Sequence, residues 1–162
     1  MRHTVARDGI IAGLLGATAV AIWFLGVDLM YAHPLATPAA LGRSLLRLFG
    51  PPGDDGTMTF VVAYTVFHYI AFVIAGLLVS VVVHWAQSSP TVLAGAMMLF
   101  VAFEIGFYAL SAALREAPFL GALGWGQVAT GNLVAALVMG TYMWRVHPEL
   151  KGELSYALGG RE

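Results

Sequence analysis

The chain has 162 residues, 59% of them hydrophobic and 10% charged, with nine acidic and eight basic side chains and a formal net charge of −1. Soluble domains carry about 25% charged residues, so this composition excludes a soluble globular enzyme and a disordered chain, and the balanced charge excludes a basic nucleic-acid binder. Cysteine is absent, which removes disulfides, iron–sulfur clusters and thiolate metal sites; what remains is an integral membrane protein of all-α class.

The spans follow from where charge is missing. Residues 9–27 carry none, the 48 residues from Gly56 to Phe103 carry none, and 117–144 carry none. A span needs about 20 apolar residues, so the 48-residue stretch holds two. Its only polar, turn-prone run is His84-Trp85-Ala86-Gln87-Ser88-Ser89-Pro90, where it is cut. The expectation is a four-helix transmembrane bundle over 9–144, with tails at 1–8 and 145–162. A β-barrel would alternate apolar and polar residues, which these runs do not.

The first span is expected at about 9–32. Its apolar run is longer than that of a signal peptide, although Arg2 and Arg7 precede it. Gly9 with Gly13, and Ala12 with Gly16, stand at the spacing that lets helix backbones approach. Asp28 lies near its outer end and is expected to reach water there. A short amphipathic helix follows at about 38–49, with Thr37 as N-cap and Pro38 at the first helical position. Leu41, Leu45, Leu48 and Phe49 fall on one face and Arg43 and Arg47 on the other, as in a helix lying on a membrane surface. Gly50-Pro51-Pro52 ends it.

The second span is expected at about 57–85. Tyr64, His68, Gly76 and Ser80, with Phe72 between them, form one polar and small stripe that belongs inside a bundle. The third and fourth spans are expected at about 91–115 and 121–144, with small pairs Ala102/Gly106 and Ala136/Gly140. Sliding the second span onto the fourth by 64 residues places His68 on Asn132, Ala71 on Ala135 and Gly76 on Gly140, a faint internal repeat. Five Lys and Arg (Arg2, Arg7, Arg145, Lys151, Arg161) then face one side against three (Arg43, Arg47, Arg115) on the other. This places both termini in the cytoplasm of a bacterial-type inner membrane.

Of the 17 charged residues, only Asp28 and Glu104 lie within spans. His68, Glu104 and Asn132 each stand 11 residues from the outer end of their span, roughly 16 Å deep and near mid-membrane. Tyr64 and Tyr108 stand four residues further out on the same faces as His68 and Glu104. Gln127 and Trp23 fall near this layer, and Asp28, Ser111 and Thr130 extend it outward. Ionisable groups inside a membrane mark a functional site by default. A hydrogen bond or ion pair between His68 and Glu104 is expected, with Asn132 as a further partner.

No catalytic nucleophile, phosphate-loop or zinc motif is present. A metal held by His68 with Glu104 is a poor match to known ligand sets. His33 and His147 are expected outside the core, which leaves no pair for bis-histidine haem. No particular cofactor is indicated. Three functions fit, in this order. The first is a non-catalytic binding or accessory subunit, with a polar mid-membrane site opening outward to a lipophilic small molecule. The second is a proton-linked small-solute transporter using Glu104 and His68, which four helices would achieve as a homodimer. The third is a cofactor-dependent intramembrane redox enzyme. The expected partners are the lipid bilayer and a second copy or a larger membrane complex, and no nucleic acid.

Overall fold

The computed structural model describes residues 5–47, 49–50, 56–86 and 125–148. Among them the chain is all-α, with α1 at Val5–Met30, α2 at Ala36–Arg47, α3 at Thr57–Ala86 and α4 at Trp125–Val146. α1 and α3 are long and apolar enough to cross a membrane. The expected third span, with Glu104, Tyr108 and the Ala102/Gly106 pair, lies outside the described residues, as does Ser111.

α1 is the hub. It packs against both α3 and α4, whose backbones come close to each other at few points. The α1–α3 pairing is antiparallel and runs along a glycine seam. A Cβ on Gly9 would stand 2.7 Å from Leu77 Cα, and one on Gly13 would stand 2.7 Å from Val73 Cα. One on Gly76 would stand 2.8 Å from Gly13 Cα. Backbone fills the space a side chain would need, so the two helices touch main chain to main chain. In lipid, where apolar contact alone gives helices no preference for one another, such close packing drives association.

Against α4 the fit is looser and uses side chains. Gly16 receives the Met139 thioether, and Gly131 receives the rings of Trp23 and Phe24. Ala12, Val83, Met139 and Met143 form a buried cluster, with Phe72 and Tyr142 packed on it. The buried face of α4 is therefore Gly131, Ala135, Met139 and Met143, spaced by four. Ala136 and Gly140, expected to form a packing pair, are exposed. The repeat breaks at the same place: Gly76 lies in the seam, and its counterpart Gly140 meets nothing within 4 Å.

The large apolar residues point outward. Ile10, Leu14, Leu15, Ile22, Leu25 and Leu29 of α1 are exposed while Gly9, Ala12, Gly13, Gly16 and Ala17 are buried. On α3 the exposed stripe is Val62, Val66, Ile70, Ile74 and Leu78. A helix in water arranges these classes the other way round.

The α1–α2 corner is built around Asp28. Ala32 N–H bonds to the Leu29 carbonyl and His33 N–H to the Asp28 carbonyl, with Ala32 left-handed at φ 58°. This is the Schellman closure, with alanine where glycine is usual. Leu35 is also left-handed, at φ 66°. The Asp28 carboxylate accepts the Thr37 N–H at 2.9 Å and the Thr37 hydroxyl at 2.6 Å. Thr37 is thus not the N-cap expected from the sequence. It lies in the first turn of α2, and a carboxylate from the preceding helix takes its N–H.

Gly13→Ala is expected to destabilise the fold by about 1–3 kcal/mol, because its Cβ has no space to enter without parting the backbones. Gly26→Ala, with nothing within 4 Å, is expected to be neutral or mildly stabilising through helix propensity. Thermal unfolding of the two variants in one detergent checks the contrast.

Candidate functional site

His68 sits where α3 crosses the middle of α1. Its Nε2 lies 3.1 Å from the Ala17 carbonyl, and Ala17 stands at the midpoint of the 26-residue α1. A carbonyl only accepts, so Nε2 carries the hydrogen. In a neutral ring Nδ1 is then the acceptor. The ring is buried at 8% exposure. Phe72 stands 4.7 Å away between centroids, Tyr64 5.5 Å and Tyr69 6.0 Å, the last edge-on. Two forces place this side chain: the seam brings the Ala17 carbonyl within reach, and i±4 spacing stacks Tyr64 and Phe72 on either side. Beside it, Thr18 donates to the Leu14 carbonyl at 2.8 Å. Its oxygen therefore accepts from the Tyr69 hydroxyl at 3.1 Å.

Asn132, Gln127 and Asp28 do not share that level. α4 runs antiparallel to α1, with Met139 opposite Gly16 and Gly131 opposite Trp23 and Phe24. Asn132 is therefore level with Trp23, six residues or about 9 Å beyond Ala17 towards the α2 end. Trp23 Nε1 donates to the Gln127 carbonyl at 3.0 Å. Gln127 thus contributes main chain, and the Trp23–Gln127 contact is a tie between helices. Thr130 donates to the Gly126 carbonyl of its own helix at 2.7 Å. Asp28 does not reach for water. It is 5% exposed and fully engaged by Thr37. Glu104 and Tyr108 lie outside the described residues, so the expected His68–Glu104 pair does too.

A second buried cluster was not anticipated. Asp8 is 1% exposed and His147, expected outside the core, is 8% exposed. His147 Nε2 stands 3.4 Å from Asp8 Oδ2, longer than the about 2.7–2.9 Å of a tight charge-assisted bond. Asp8 lies in the first turn of α1, and His147 follows the last residue of α4. Each helix end has the polarity that favours its charge: positive for the carboxylate, negative for an imidazolium. Nearby, Ser80 is buried and donates to the Val5 carbonyl at 2.7 Å. The sequence signal was an acid directly before a glycine pair, and a histidine three residues past an uncharged run. Neither reads as buried without knowing that both helices end together.

Among the described residues no group of three or more His, Cys, Asp or Glu is placed to hold a metal ion. Comparison with family models, with curated proteins and with solved structures finds no match.

Removing either partner of the Asp8–His147 pair takes one contact from a buried polar group. Asp8→Asn and His147→Asn are each expected to lower unfolding stability by about 3 kcal/mol. The double variant is expected to lose less than the sum, with a coupling of about 1–3 kcal/mol. Additive losses in a double-mutant cycle would show that the pair is not an energetic unit.

Proposed function

We propose that the protein is a small multi-pass inner-membrane protein, a four-span bundle with both termini in the cytoplasm. It works as a non-catalytic binding or accessory subunit. Its ligand site is the aromatic-flanked His68 at mid-membrane, opening towards the α2 end. The multi-pass reading draws on the outward-facing apolar stripes of α1 and α3. It draws also on the parallel course of α3 and α4, which leaves Ala86 and Trp125 at opposite ends of the bundle.

The observation that carries the binding reading is the fixed tautomer of His68. With Nε2–H held by the Ala17 carbonyl, the neutral ring offers one acceptor beside the faces of Tyr64 and Phe72. That environment suits an apolar molecule bearing a single hydroxyl or N–H donor.

A proton-linked transporter is the second reading. It is favoured by Asp8–His147, a further buried titratable pair at the opposite end from α2. Proton uptake in reconstituted vesicles, abolished by Glu104→Gln and by Asp8→Asn, would select it over binding.

The binding reading is tested by extracting purified parent and His68→Phe protein with organic solvent and comparing the apolar small molecules by mass spectrometry. The aromatic replacement keeps the packing volume and removes the acceptor. One species is expected to be retained by the parent and depleted about tenfold or more in the variant, the effect of losing one buried hydrogen bond. Identical extracts would overturn the binding site.

A further inference from the structure

We propose that the exposed face of α2 carrying Arg43 and Arg47 binds the phosphate of an anionic phospholipid headgroup. The proposal rests on α1 and α3 crossing a membrane and is independent of the His68 site.

α2 is held rigidly at the end of two apolar helices. Its first turn is tied to α1 through Thr37 and Asp28. Its middle lies on α3, with Gly42 so close to Phe60 that a Cβ would meet the Phe60 backbone. Phe60 is the fourth residue of α3 and is 3% exposed. α2 therefore lies where the apolar part of a span begins, which is headgroup depth.

Arg43 and Arg47 of this helix are exposed. They stand one turn apart on one helix face, about 6 Å along the axis. The Arg43 guanidinium lies over the Phe60 ring, 5.0 Å from its centroid. Contact with an aromatic face leaves a guanidinium its N–H donors, which can grip phosphate oxygens in pairs. Among the described residues no carboxylate is paired with either arginine: Asp28 is engaged by Thr37, and Asp8 lies at the other end of α1.

The surroundings favour a lipid over free phosphate. Phe49, two residues past α2, is 84% exposed, and Met30 at the end of α1 is 86% exposed. Phe49 gives apolar surface two residues past Arg47, where the acyl chains below a headgroup would lie, and Met30 and Leu35 add exposed apolar surface at the α1–α2 corner.

The test uses the full-length protein in an uncharged detergent. Its thermal unfolding is followed while phosphatidylglycerol, phosphatidylcholine of the same acyl chains, or inorganic phosphate is titrated. Phosphatidylglycerol is expected to raise the midpoint saturably, and the other two to do so little. In Arg43→Gln/Arg47→Gln the half-saturating phosphatidylglycerol concentration is expected to rise about tenfold or more, given two arginines at a charged surface. Arg7→Gln, at the opposite end of α1, is expected to respond like the parent. Should the double variant not fold, Arg47→Gln alone decides, since that side chain is exposed. Equal responses to the two lipids, an unchanged response in the arginine variants, or a phosphate response equal to that of phosphatidylglycerol would each overturn the proposal.

Discussion

The whole arrangement depends on the seam where Gly9 and Gly13 of α1 meet Gly76 of α3 backbone to backbone. Side chains of ordinary size on both helices would hold the axes about 8–10 Å apart. Glycine removes that spacer. Everything else on α3 is then positioned by rigid-body geometry: Ser80 reaches the Val5 carbonyl, His68 reaches Ala17, and Tyr69 reaches Thr18. These bonds cross the same interface at its end and its middle. Each satisfies a polar side chain at the helix interface, where an unmet group would cost a few kcal/mol.

The charged groups show the same economy. Asp28 and Asp8 are both buried, at opposite ends of α1, and each is set against a helix end of suitable polarity. Asp28 takes an N–H of the first turn of α2; Asp8 stands in the first turn of α1 and faces His147 after the end of α4. Among the described residues Arg43 and Arg47 have no carboxylate partner.

Much of the fold was legible in the chain. Uncharged runs located α1 and α3, and Gly9, Gly13, Gly76 and Ser80 announced a packing stripe because small and polar residues recur at helical spacing. The amphipathic pattern located α2 within about two residues. What could not be read was pairing across helices. Thr37 before Pro38 looks like an N-cap in any local view; only the fold brings Asp28 to it. Asn132 and His68 have equal counts from estimated span ends. The true register, set by Gly131 and Met139 against α1, separates them by about 9 Å. Asp8 and His147 are 139 positions apart in sequence, and no local pattern links them. Of the expected polar layer, His68 with Tyr64 is a structural cluster, and Trp23 with Gln127 is a separate tie one level further out.

The absence of cysteine makes membrane topology directly measurable. Single cysteines at Tyr31 and Gly126, at His84 and Pro148, and at Ile70 in the exposed stripe of α3 would be challenged in intact cells with a membrane-impermeant thiol reagent. With α1 and α3 as antiparallel spans joined at the glycine seam, Tyr31 and Gly126 label from one side of the membrane. His84 and Pro148 label from the other, and Ile70 from neither until detergent is added. Labelling of Tyr31 and His84 from the same side, or of Ile70 as fast as Tyr31, would contradict it.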